Sequence, residues 1–128
     1  MTGADRSFPL GAFFAHLCDD GRCLPLPVSD TFWSETIETL PAGRLISVLD
    51  SHADWSSWEM HPAGDEFIQQ ISGVMTLVFE AGSGLSPIRL EPGHFAIVPT
   101  GAWHTADIEQ PGSALFITAG EGTQSRPR

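Results

Sequence analysis

The stretch WEMHPAGDEF, residues 58 to 67, places one histidine and three carboxylates within ten positions, with no cation beside them. A Pro-Ala-Gly turn divides it, and the segments on either side have the composition of strands. Side chains alternate across an extended chain, so Trp55, Ser57, Glu59 and His61 share one face, and Trp58 and Met60 the other. Beyond the turn, Glu66, Ile68 and Gln70 share a face, and Asp65, Phe67 and Gln69 lie opposite. The spacing permits Glu59, His61 and Glu66 to converge at the edge of a core, with Gln70 lining the same pocket. Asp65 is left as a turn or surface carboxylate.

Outward from this stretch the chain keeps a β character. RLISVL, IQQIS, VMTLVFE, PIRL, HFAIVP, WHTADI and SALFIT are short runs rich in β-branched and aromatic residues, separated by Gly and Pro turns. Such a series predicts an all-β sandwich or barrel over residues 44 to 119. Within WHTADI, Ala102, His104 and Ala106 share a face, and the small neighbours leave room around the imidazole. Trp103 then faces away from the pocket. Val74, Leu77, Phe95, Ile97, Phe116 and Ile117 are expected in the core, and Trp55, Trp58 and Trp103 are expected to pack rather than bind. Residues 1 to 43 read as an N-terminal arm, with a strand near Phe8 to Phe14 and one short helix over 31 to 40, where apolar residues fall at 32, 33, 37 and 40. Residues 120 to 128 read as a flexible, frayed tail.

Composition narrows the chemistry. A chain of 128 residues fits one domain. Its net charge of −10 repels phosphate backbones and anionic lipid, so neither nucleic acid nor a membrane surface is an expected partner. There is no Lys, Tyr or Asn. Schiff-base and tyrosine chemistry are therefore ruled out, and proton transfer falls to His, Asp, Glu, Cys or a metal-bound water. Cys18 and Cys23 read as free thiols in a reducing compartment, and the apolar run PLGAFFA lacks the basic flank of a leader; a cytoplasmic location is expected. His16, His52 and His94 read as solvated or hydrogen-bonded residues. No phosphate-binding glycine loop or nucleophile elbow is present.

Two motifs, in register and in order, resemble those of the cupin superfamily. The first has His-x-His, three or four residues, Glu, six residues and Gly; His61, Glu66 and Gly73 match it, with Glu59 at the first His position. The second has Gly, five residues, Pro-x-Gly, two residues, His, three residues and Asn; Gly93, Pro99, Gly101 and His104 match it, with Ile108 at the Asn position. The resemblance implies a double-stranded β-helix, or jelly-roll, barrel with a central metal pocket, and a homodimer. Carried over residue by residue, it makes His61, Glu66 and His104 metal ligands, with Glu59 at the fourth position.

Two imidazoles and carboxylate oxygens suit a divalent transition metal, and the absence of thiolate ligands leaves Fe, Mn, Ni or Zn. With Glu59 included, two carboxylates balance the charge of a divalent ion. Without a cation, two buried carboxylates close together must share a proton. The resemblance implies a metal-dependent enzyme acting on a small polar or anionic molecule, of dioxygenase, isomerase, lyase or decarboxylase type, with Glu59 or Glu66 moving protons. The alternative is a non-catalytic module that binds a small ligand.

Overall fold

The computed structural model describes residues 7 to 128. Among these residues, eleven strands form two antiparallel sheets. The larger sheet contains β1 (Phe13–Cys18), β2 (Cys23–Pro27), β3 (Gly43–Ser51), β5 (Glu66–Gln70), β8 (Phe95–Val98) and β10 (Gly112–Thr118), in the order β2-β1-β3-β10-β5-β8. The smaller contains β4 (Ser57–Met60), β6 (Val74–Phe79), β7 (Ile88–Leu90), β9 (His104–Gln110) and β11 (Gln124–Pro127), in the order β11-β4-β9-β6-β7. No helix among the described residues is long and apolar enough to cross a membrane.

Alternation decides what each strand buries. Along β5, Glu66, Ile68 and Gln70 are buried while Phe67 and Gln69 are half-buried. Ile68, Met75, Leu77, Phe79, Leu90, Val98, Ala106 and Phe116 form the main core. Each large apolar side chain sealed there contributes about 1.5–3 kcal/mol. The expected core position of Phe95 and Ile97 is corrected: they are 58% and 54% exposed, and Ala96 and Val98 point inward instead. Register is the cause. Glu66 pairs with Val98 and Ile68 with Ala96, so an inward Glu66 turns Phe95 and Ile97 outward. Ile117 likewise is only half-buried while its neighbour Phe116 is in the core.

Three further expectations are corrected. Residues 31 to 40 form turns and a four-residue 3-10 helix, Thr36–Thr39, rather than a longer helix. Thr31, Thr36, Ile37 and Thr39 are β-branched, and no side chain caps the N-terminus, so helix propagation has little support. The apolar residues plug a second core instead: Phe32, Phe14 and Leu45 pack together against Ile37 and Leu40. The first strand begins at Phe13, not near Phe8, because a turn closed by the bond from Phe13 N to Pro9 O precedes it. The tail expected to fray carries β11, paired with β4 from Gln124↔Met60 to Pro127↔Ser57. Its polar, exposed sequence hid the strand, which is held by backbone bonds and by Arg126. That guanidinium lies 4.3 Å from the Trp103 ring centroid and pairs with Glu80 at 2.7 Å. Trp103 thus faces outward. Cys18 and Cys23 are free, the first buried and the second exposed.

Candidate metal centre

Three strands and two turns assemble the polar cluster. Glu59 lies in β4 and pairs directly with His104, the first residue of β9. His61 follows β4, and its carbonyl accepts a 2.9 Å bond from Gly101 N in the turn before β9. Gly101 holds φ +76°, a conformation that other residues rarely adopt. Asp65 lies on the surface, as its parity requires, and ties the two turns together. Its carboxylate accepts bonds from Thr100 N and Thr100 Oγ1, both at 2.8 Å, and the side-chain bond above all holds its carboxyl below the usual range. Glu66 opens β5 and points inward.

The structure brings together all four side chains of the expected set. His61 Nε2 lies 3.3 Å from Glu66 Oε2 and 3.9 Å from Glu59 Oε2, and His104 Nε2 lies 3.2 Å from Glu66 Oε1. Donor atoms of Glu59, His61 and His104 lie within 4.8 Å of one another. His104 and Glu66 are sealed from solvent, while Glu59 keeps 39% of its side chain exposed. Gln70 shares the buried face of Glu66, four positions further along β5. Its amide donates to Ser72 O at 2.7 Å, and its backbone bonds to Gly93 and His94 draw it toward the β7–β8 turn.

The second nitrogen of each imidazole is held by a partner outside the cluster. His104 Nδ1 lies 3.0 Å from Ala102 O. A carbonyl only accepts, so Nδ1 carries the hydrogen and Nε2 is bare in the neutral ring. His61 Nδ1 lies 2.8 Å from Thr123 Oγ1; when that hydroxyl accepts from Nδ1–H, His61 Nε2 is bare as well. Glu66 Oε2 accepts a short bond from Thr118 Oγ1. His61 Nε2, His104 Nε2 and Glu66 Oε1 remain, all buried and none with a well-directed hydrogen-bond partner. Three electron-rich atoms facing one another repel unless a cation or a proton lies between them. This donor set fits a divalent transition metal.

The acid–base character agrees. Burial alone would raise the Glu66 carboxyl, but the imidazoles of His104 and His61 and the Thr118 hydroxyl outweigh it and hold it at about 2. Burial would lower His104, yet Glu66 and the Ala102 carbonyl raise it. Glu59 is pushed up, first by burial and then by the Glu66 charge.

Sequence reasoning missed Thr118 and Thr123. Both reach the cluster by strand pairing across more than fifty residues, and neither lies in a motif. His16, expected to be solvated or hydrogen-bonded, is buried and bonds Pro41 O at 2.6 Å. His52 and His94 are exposed. Trp55 packs on the core and also walls the cavity, 6.1 Å from Phe116 between ring centroids.

No family model matches the chain, and no curated protein matches it significantly. Solved structures do. A cupin-superfamily protein from Desulfitobacterium hafniense superposes with a TM-score of 0.52 at 18% identity, covering 94% of this chain and 89% of that one. A cupin-2 domain protein from Shewanella frigidimarina gives 0.50 at 18% identity, covering 66% and 71%. Hydroquinone 1,2-dioxygenase, in complex with Cd2+ and 4-hydroxybenzonitrile, gives 0.51 at 19% identity, covering 62% of this chain and 60% of that one. The fold is the jelly roll of two antiparallel sheets that these cupin structures share, and donor atoms of Glu59, His61 and His104 gather in it.

Proposed function

We propose that this chain is a metal-dependent cupin enzyme acting on a small polar molecule, with His61, Glu66, His104 and Glu59 holding a divalent transition metal such as Fe, Mn, Ni or Zn. The observation that carries the reading is the set of three buried, partnerless acceptors: His61 Nε2, His104 Nε2 and Glu66 Oε1. The similar fold of a dioxygenase solved with Cd2+ and an aromatic nitrile supports it.

Bound there, the ion supplies Lewis acidity and a site for substrate oxygen. The chain's own residues divide the remaining work. Thr123 and the Ala102 carbonyl orient the imidazoles, and Thr118 orients Glu66. Glu66 is committed to these contacts and is poorly placed to carry protons. Glu59 is the most exposed member of the set and opens on the cavity, so its oxygen that does not hold the ion is where a proton would be taken from or returned to a bound molecule. The outward Phe67, Phe95 and Ile97, with Phe95 stacked on Phe67 at 4.8 Å, support pairing of two copies through the larger sheet.

Elemental analysis of protein purified without chelator tests the metal. We expect close to one transition-metal ion per chain, abolished in the double variant His61→Ala/His104→Ala. A folded wild type that takes up no metal on titration would defeat the reading.

A further inference from the structure

β4 carries Glu59 and leads into His61, yet the barrel holds it loosely. On one flank its neighbour is β9, and the two share a single register pair, Glu59↔His104. Thr105 Oγ1 donates to Ser57 O at 2.9 Å and Gly101 N to His61 O at 2.9 Å, one at each end of the segment. On the other flank β4 is paired along its whole length, by β11, from Gln124↔Met60 to Pro127↔Ser57. The stretch that brings Glu59 and His61 to the cluster is therefore held mainly by the edge strand of the smaller sheet.

β11 acts on both side chains. The chain enters it through a turn closed by the bond from Thr123 N to Gly120 O at 3.1 Å. The turn sits against Pro62, whose Cγ lies 3.1 Å from where a Cβ on Gly122 would stand. From this turn Thr123 Oγ1 reaches His61 Nδ1 at 2.8 Å. The same turn walls the cavity of about 1180 Å³ that opens beside Glu59 and His61. Ser125 stands opposite Glu59 and, by alternation, shares its face, so it flanks the most open carboxylate of the set.

No buried apolar side chain anchors this strand, and all four of its residues are exposed. Polar pins on the outer face hold it instead. Arg126 stands opposite Trp58, with its guanidinium carbon 4.3 Å from the Trp103 ring centroid and 5.9 Å from that of Trp58. Its Nη2 donates to Glu80 Oε1 at 2.7 Å, and Glu80 N donates to Trp103 O at 3.1 Å. Arg128 pairs with Asp107, and its backbone N donates to Ser56 O at 3.0 Å. Exposed ion pairs and exposed cation–π contacts are individually weak. Docking of β11 is thus a shallow equilibrium that a change at either end shifts.

We infer that Arg126 is a positioning residue for the cluster: gripped by Trp58, Trp103 and Glu80, it keeps β11 docked on β4, and so holds the His61 ring through Thr123 and screens Glu59 through Ser125. Docking of β11 and occupation of the cluster by a divalent metal then favour each other. The coupling to a metal rests on the metal reading; the hold of β11 on the His61 ring does not.

Three measurements test it. In a titration with Co2+ followed by absorption, Arg126→Ala should weaken binding about tenfold. Arg89→Ala breaks exposed pairs with Glu91 and Glu109 at the far edge of the same sheet, and should leave cobalt affinity unchanged. In the wild type, saturating zinc should slow amide exchange over residues 123 to 126 by about the same factor as the affinity loss, because coupling is reciprocal. In metal-free protein at alkaline pH, Arg126→Ala should move the imidazole 15N shifts of His61 toward those of a ring exchanging freely between its tautomers. Those of His104, held by Ala102 O, should stay in place. For a chain that takes up metal, an unchanged cobalt affinity in Arg126→Ala, or exchange over β11 that ignores zinc, overturns the inference; the exchange measurement needs only the wild type and decides even if the variant fails to fold. Unmoved His61 shifts overturn it with or without a metal. A wild type that takes up no metal, with the His61 ring still released in Arg126→Ala, would sink the metal centre and leave the hold of β11 on His61 standing.

Discussion

Glu66 and Ile68 stand two residues apart on the same inner face of β5, and both are almost sealed from water, at 3% and 0% exposure. Ile68 is satisfied by its surroundings, because Leu77, Phe116 and their neighbours fill the space around it. Glu66 is not: one oxygen and the two imidazole nitrogens near it lack partners. Gln70, two residues beyond Ile68, also leaves an oxygen unpaired, but alone; at the Glu66 end three unpaired atoms from three residues face one another. Burial alone therefore does not distinguish a structural position from a functional one; the state of the polar atoms does.

That contrast can be broken most forcefully by mutation. Truncating the apolar end with Leu77→Ala should cost about 2–5 kcal/mol of unfolding free energy, with or without metal, because it leaves a cavity in a packed core. Glu66→Gln should differ in kind: it gives up the charge that His104, His61 and Thr118 hold, so its metal-free loss should shrink as pH falls toward about 2, which the Leu77→Ala loss should not do, while metal retention is lost. Denaturant titrations of both variants across that pH range, with and without chelator, make the comparison. Metal-free losses with the same pH dependence would show that the two ends obey the same rule.

Thr123→Val sharpens the contrast at smaller scale. It removes the hydroxyl that holds His61 Nδ1 without touching a ligand atom. Metal affinity should fall about 10–100-fold with the fold intact. An unchanged affinity would mean that β4 and Gly101 alone orient the ring.

The smallest effect is on pH dependence. The raised His104 contributes stability that is complete below its unfolded value of 6.5 and is lost as pH rises through the raised one. The depressed Glu66 contributes stability that is present above 4.5 and is lost as pH falls toward about 2. Metal-free protein should thus melt highest between these limits. Raised Glu59 contributes stability that is complete below 4.5 and is lost as pH rises through its raised value. Loading with zinc should flatten that alkaline side, where the ion replaces the proton. Melting temperatures from pH 3 to 9 with chelator and with zinc check this, and identical profiles would contradict it.

The site was legible in the sequence to the extent that it is local. Glu59, His61 and Glu66 lie within eight residues, and strand alternation alone puts them on inner faces. His104 needed the second motif. Thr118 and Thr123 were not legible as residues of the cluster, because pairing of β10 with β5, and the return of the tail beside β4, bring them close. HFAIVP illustrates the same limit. Both parities of that run are apolar, so only the pairing of β8 with Glu66 decides that Phe95 and Ile97 face out. The turn region at 31 to 40 misled for another reason: its helical spacing of apolar residues served a plug over Phe14 and Leu45, and local propensity never supported a helix.

The most direct test is a crystal structure of the chain grown with Mn2+, with anomalous scattering used to locate the ion. The account predicts one peak in contact with His61 Nε2, His104 Nε2 and a Glu66 oxygen. A well-ordered cluster with no peak there, while manganese occupies another site, would contradict it.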